Sequence, residues 1–244
     1  MIPKFFILLL CCIFLQHDAC AQSLSIDLGN ESNDLMSSKI IQLIGLITIL
    51  SIAPSILIMV TSFTRITVVL SFVRTAIGLQ QTPPNSVLIS LSLFLTFFIM
   101  APTFERAYES GLEPLMQNNI AEDVALQNIG KPFRDFMSSN VRQKDLALFT
   151  GMAKLDEKTM KDDLPLYVLI PAFMISELRK AFEVGFLIFL PFLIIDIVVS
   201  SVLMAMGMMM LPPVMIALPF KIIFFVLIDG WYMLCGSLAK SYGL

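Results

Sequence analysis

Apolar residues run along this chain in long blocks, with one polar block between them. Residues 40–64 give 25 consecutive positions without a charged side chain, and residues 87–101 form a second such run. Two more, 184–211 and 214–232, follow the polar block and are parted by Pro212-Pro213. A membrane-crossing helix takes roughly 20 apolar residues, so the pattern predicts two helical hairpins. The first spans residues 40–103, and residues 65–84 serve as its connector. Pro54 is expected to kink its first helix, because proline removes a backbone donor, and Pro102 marks the end of its second. Residues 184–244 form the second hairpin, with a methionine-rich loop at its tip.

The block between the hairpins, residues 104–163, reads differently. It breaks at Gly111, Pro114, Gly130-Lys131-Pro132 and Gly151, and Phe133, Phe136, Met137, Val141 and Leu148 recur at helical spacing. This predicts a small helical insertion facing water, with residues 154–163 as a solvated stretch. Residues 164–183 begin apolar but run into Glu177, Arg179, Lys180 and Glu183, which fits an amphipathic or re-entrant helix better than a crossing. The fold expected is all-α: kinked membrane helices in two hairpins around a small helical periplasmic insertion.

Charge sharpens the picture. Of 35 charged residues in a chain of 244, 19 lie in residues 104–163, while residues 44–103 hold only Arg65 and Arg74. Basic loop residues stay in the cytoplasm, so Arg65 and Arg74 are topology determinants that place the first connector inside and both ends of the hairpin outside. The net charge of -3 excludes a nucleic-acid partner, which needs a basic stripe.

The first residues predict the same orientation. Lys4, an apolar run over residues 5–15 and Ala19-Cys20-Ala21 have the form of a secretory signal. Cleavage is expected after Ala21, leaving residues 22–39 as a periplasmic tail; acylation of Cys20 is the rival reading. Cleavage removes His17 and three of the four cysteines, leaving Cys235. Disulfides, His/Cys metal sites and histidine triads are then excluded. No catalytic residue and no cofactor is expected.

Two groups of residues carry chemistry. Met204, Met206, Met208, Met209 and Met210 crowd one short stretch ahead of Pro212-Pro213. Soft, unbranched methionines fill irregular space; they suit either an adaptable core or a loop that closes a passage. Asp196, Lys221 and Asp229 stand inside apolar runs, with Glu177 and Arg179 at the edge. A charge in hydrocarbon costs roughly 2.5–3.5 kcal/mol even on the lenient insertion scale, so these residues are expected to face partner helices or sister subunits. Asp196 and Lys221 form the natural opposite-sign pair; a structural salt bridge and a proton relay both remain open. Asp196 and Asp229 lack the settings of an intramembrane aspartyl protease. No internal repeat or ring of pore charges points to a solute transporter or ion channel acting alone.

The residues also show a family resemblance. Residues 59–66 through 80–85, 132–137, 144–149, Pro171-Ala172-Phe173, Ser176-Glu177-Leu178, 185–192, 206–215, 218–221 and Asp229-Gly230-Trp231 resemble, in order, the motifs of the FliP family of flagellar type III export-gate proteins. The resemblance implies a pore-forming subunit in the bacterial inner membrane, at the flagellar basal body. It implies a pentamer that joins FliQ and FliR in a conical complex sitting largely above the bilayer plane. That complex conducts unfolded flagellar subunits, with the energy supplied by other components. The family's pore gasket would map to Met206, Met208, Met209 and Met210. An injectisome relative and a purely structural scaffold of a secretion machine are the alternatives.

Overall fold

The computed structural model describes residues 33–155, 164–208 and 212–243, and every regular element among them is helical. The expected signal and its cleavage site at Ala21 lie outside the described residues, as do Met209 and Met210. The elements are α1 (Asn33–Met59), α2 (Phe63–Ile77), α3 (Asn85–Ala107), a π turn (Tyr108–Leu112), α4 (Glu113–Met116), α5 (Glu122–Asn140), α6 (Gln143–Met152), α7 (Leu166–Ala205), α8 (Pro213–Leu227) and α9 (Gly230–Lys240). Among the described residues, those up to Ser51 belong to one unit and those from Ile52 onward to another. In the first, the Thr48 and Ser51 hydroxyls donate back to the Ile44 and Ile47 carbonyls, each at 2.8 Å, and Ile44, Leu46, Ile47 and Leu50 are exposed.

The second unit is organised around α2. Ile66, Val69, Leu70, Val73 and Ile77 recur at intervals of three and four, which puts them on one helical face, and all are buried. They pack with Leu88 and Ile99 of α3, Ala181 and Phe192 of α7, Phe225 of α8, and Leu234 and Leu238 of α9. Full burial of a Val, Leu or Ile side chain contributes about 1.5–3 kcal/mol, so this stripe is the main apolar anchor of the unit. A second cluster joins Met137, Leu169 and Phe173 beneath Val60, Phe136, Val141 and Leu146. Gly78 ends α2 at φ +93°, where its N–H reaches the Thr75 carbonyl and the Leu79 N–H reaches Arg74. The left-handed backbone there favours glycine.

Several expected boundaries move. Residues 65–84 are not one connector: most of the segment is α2, and only residues 78–84 are loop. Pro102 does not end the second helix, and α3, the π turn and α4 run on as a helical stretch over Asn85–Met116. Helix α5 passes through Gly130-Lys131-Pro132. Residues 164–183 are not a separate re-entrant helix, because they are continuous with the following apolar run in the 40-residue α7. At 1.5 Å per residue that helix is about 60 Å long, twice the roughly 30 Å of a hydrocarbon core. An upright α7 therefore cannot lie wholly within lipid, and the end bearing Glu177–Glu183 is the polar one. Asn85–Met116 and Leu166–Ala205 are each long and apolar enough to cross a membrane, and α8 with α9 passes the same test as a pair bent by 60°.

Candidate functional site

The charges that looked isolated in the sequence are gathered at two places. The first lies where α2, α7 and the segment after α9 meet. Arg65, in the first turn of α2, and Glu177, in the middle of the polar end of α7, are both buried. Arg65 Nε donates to Glu177 Oε2 at 2.8 Å, and its Nη2 donates to Oε1. This two-pronged geometry is specific to a guanidinium. The third arm, Nη1, reaches Ser241 Oγ at 2.9 Å. The Tyr242 hydroxyl donates to Glu177 Oε2, and the Arg65 guanidinium stands 3.9 Å above the centre of the Tyr242 ring. Burial, and then the neighbouring Glu177 carboxylate, push the Tyr242 phenol far above its ordinary range, so it remains a donor. Lys180, one turn along α7, lies 3.8 Å from Glu177 Oε1 and donates to the Asn140 carbonyl at 2.6 Å. Ser176 donates to Asp145 at 2.8 Å and accepts from the Arg142 backbone N–H at 3.0 Å, which ties α6 to α7.

The second place lies between α7 and α8. Lys221 Nζ donates to Asp196 Oδ2 at 2.6 Å and to the Ala76 carbonyl at 3.4 Å. Ala76 is in the last turn of α2, where carbonyls lack helical partners and the helix dipole favours a cation. One ammonium thus links the two helices of the second hairpin to the end of the central helix. Asp196 Oδ1 is buried with no hydrogen-bond partner among the described residues.

The other expected site residues are dispersed. Arg179 pairs at 2.9 Å with Glu183 on an exposed face, not with the buried node. Asp229 sits at the α8–α9 break with φ +49° and ψ +49°, acting there through its backbone. Arg74, in the last turn of α2, donates to Asn85 Oδ1 at 2.6 Å and to the Pro83 carbonyl, clamping the short loop. Arg65, expected in the connecting loop, instead lies in the first turn of α2, where its guanidinium is desolvated and neutralised by Glu177. The methionine stretch leaves α7 through Gly207, at φ +72°, whose N–H bonds to the Met204 carbonyl at 3.0 Å while that of Met208 bonds to Leu203. Met204, Met206 and Met208 are exposed. Met206 also ends a groove of about 610 Å³ lined by Ile195, Val199, Ile216, Phe220 and Phe224.

Sequence reasoning does not point to Tyr242, and it meets Lys180, Ser176 and Asp145 only within a charged turn and family-like motifs, without a role for any of them. No motif marks Tyr242. The helical stripe from Ile66 to Ile77 would have revealed α2 and, with it, that Arg65 begins a buried helix in need of an acidic partner.

Apolar helices of spanning length, wide exposed apolar faces and interior charges that neutralise one another define a helical protein of membrane type. The FliP family model matches residues 46–238. The chain is 56% identical over 217 residues to the flagellar biosynthetic protein FliP of Bacillus subtilis, covering 89% of this chain and 98% of that one. It is 54% identical over 232 residues to that of Caulobacter vibrioides (95% and 86% covered), and 49% identical over 204 residues to that of Aquifex aeolicus (83% and 85%). The chain belongs to the FliP family.

Proposed function

We propose that this chain is the pore-forming subunit of the flagellar type III protein export gate in the bacterial inner membrane. It assembles as a homo-oligomer, a pentamer, with FliQ and FliR at the flagellar basal body, and passes unfolded flagellar subunits outward. The chain itself carries out no enzymatic chemistry. The observation that carries this reading is the family match across nearly all of the helical unit, to relatives named as flagellar biosynthetic proteins.

Physical features support it. Phe94, Phe97 and Phe98 on α3, and Phe186, Leu187, Ile194 and Ile197 on α7, are exposed. Exposed apolar area on this scale requires cover by lipid or by neighbouring subunits. One chain of this size cannot enclose a passage for a polypeptide, so the pore belongs to the assembly. Methionines at an exposed turn, beside left-handed Gly207, are suited to sealing such a passage around cargo of varied shape.

The test is export in the chain's own host. Deleting its gene should abolish release of hook and filament subunits into the medium, and a plasmid copy should restore it. The complex purified with FliQ and FliR should contain five copies by native mass spectrometry. Normal release in the deletion strain, or a single copy in the complex, would overturn the reading.

A further inference from the structure

Helix α9 is joined to the molecule differently at its two ends. At its start the axis turns by 60° from α8. The turn passes through Ile228 and through Asp229, a non-glycine residue in the left-handed region at φ +49°. The next residue is crowded: a Cβ on Gly230 would lie 2.2 Å from the Phe225 ring. Along its length the helix turns Leu234 and Leu238 inward but leaves Tyr232 and Met233 exposed. On one flank it is not wedged at all, since a groove of about 710 Å³ separates it from Leu95 and Phe98 of α3, with Trp231 and Cys235 on the opposite wall.

At the far end the attachment is polar and aromatic. Ser241 accepts from Arg65. The Tyr242 ring lies between the Arg65 guanidinium and the Phe136 ring of α5, stacked on the latter at 5.8 Å and 20°, and its hydroxyl donates to Glu177. The Arg65–Glu177 pair does not depend on this tip. Its two bonds use Arg65 Nε and Nη2 against both carboxylate oxygens, and Lys180 stands beside Oε1. Withdrawing Tyr242 therefore strands no charge. Releasing the whole tip breaks two hydrogen bonds, Tyr242 to Glu177 and Arg65 to Ser241, together with two ring contacts, and uncovers Leu234 and Leu238, so the open state is rare at rest.

We propose that α9 is a hinged arm, pivoting at Asp229 and latched by Ser241-Tyr242 onto the Arg65–Glu177 pair, and that this structure is its closed state. Opening lifts Leu234 and Leu238 off the core and widens the groove beside Cys235, while α2 and α7 stay paired. The latch spans α2, α5 and α7, so whatever displaces α5 relative to the central pair also releases the arm. The device is independent of the export reading and would exist in any assembly this chain serves.

Cys235 is the only cysteine after residue 20, and it reports on the arm. The full chain in detergent is treated with N-ethylmaleimide, the Cys235 labelling rate is read by site-resolved mass spectrometry, and amide protection of α2 and α7 is followed by hydrogen exchange. Losing a hydrogen bond to a charged group together with the ring contacts should raise the labelling rate about a hundredfold in Tyr242→Ala. Tyr242→Phe keeps the ring and should give a smaller rise, about tenfold. Protection of α2 and α7 should not change in either variant. Three results would overturn the proposal: labelling equal to wild type in both variants, labelling that rises only as α2 and α7 lose protection, or a Tyr242→Phe chain that does not fold.

Discussion

Arg65 and Glu177, 112 residues apart in the chain, meet as a two-pronged pair with one bond of 2.8 Å, and both are buried. The first turn of α2 is thereby fixed to one level of α7, the level at which Ser176 ties in α6 and Lys180 ties in the end of α5. A long apolar helix can slide or rotate against another with little change in buried area. A single desolvated ion pair between them removes that freedom, because any other register takes the buried Arg65 guanidinium off its carboxylate and leaves Glu177 only Lys180.

Breaking this pair should therefore destabilise the fold strongly. Arg65→Ala or Glu177→Ala leaves an uncompensated buried charge, a loss of about 3–5 kcal/mol. Arg65→Lys should recover only part of it, since an ammonium cannot make the fork. The double variant Arg65→Met/Glu177→Met should melt closer to wild type than either alanine variant. Thermal unfolding in detergent measures all four. Alanine variants that melt with wild type would show that the pair is not a register lock.

The Asp196–Lys221 pair predicts an asymmetry. The Lys221 side chain is 6% exposed and that of Asp196 33%. Lys221→Met leaves a carboxylate that is partly exposed on the surface of the chain, whereas Asp196→Ala leaves a buried ammonium with only the Ala76 carbonyl. Asp196→Ala should thus reduce the yield of assembled complex more than Lys221→Met, by about 2 kcal/mol or more, and adding Lys221→Met to Asp196→Ala should restore part of the loss. Native gel electrophoresis of the co-expressed complex reads the order. Normal yield combined with an altered dependence of export on proton motive force would favour a relay.

Two glycines predict steric limits, and a third predicts the reverse. A Cβ on Gly111, in the π turn, would meet the Ile129 side chain at 2.5 Å and two backbone atoms of α5 at 3.0 Å. One on Gly185 would meet the Phe72 ring at 2.5 Å, and that ring is itself held by Phe182 and Phe189. Gly111→Ala and Gly185→Ala should each cost about 1–3 kcal/mol from overpacking. Gly130 lies within α5 with nothing within 4 Å of the added carbon, so Gly130→Ala should instead stabilise by up to about 1 kcal/mol. Equal melting temperatures for all the variants would contradict the packing seen here.

How much of this could be read from the chain depended on what each residue's signal competes with. The apolar blocks gave the helical class because their length has few other physical uses. The pairing of Asp196 with Lys221 was foreseeable because two opposite charges in otherwise uncharged runs have few alternatives. Helix α2 reads as a connector because Arg65, Arg74, Gly78 and Pro83-Pro84 all resemble loop residues one by one; only the stripe from Ile66 to Ile77 contradicts them, and burial by several helices at once makes that stripe decisive. Pro102 and Pro132 look like terminators when read alone, but neighbouring helices support a backbone that lacks one donor. Tyr242 could not be found from sequence, since its role comes from three segments meeting.

The methionine turn allows a test of function that leaves the fold aside. Met206 and Met208 project from the end of α7 into the open, and Gly207 sets the turn by its left-handed backbone. None of the buried clusters includes Met206 or Met208, so Met206→Ala/Met208→Ala should melt within about 0.5 kcal/mol of wild type and assemble normally. If these side chains seal the passage, the assembled variant should conduct ions at rest, read as single-channel current across a planar bilayer or as sodium sensitivity of growing cells. Extending the replacement to Met209 and Met210 should enlarge the leak. Gly207→Val should act through the backbone instead, because a branched side chain resists φ +72°, and it should impair closure even with every methionine present. Assembled complexes that stay as tight as wild type after loss of all four methionines would remove the turn from the gate.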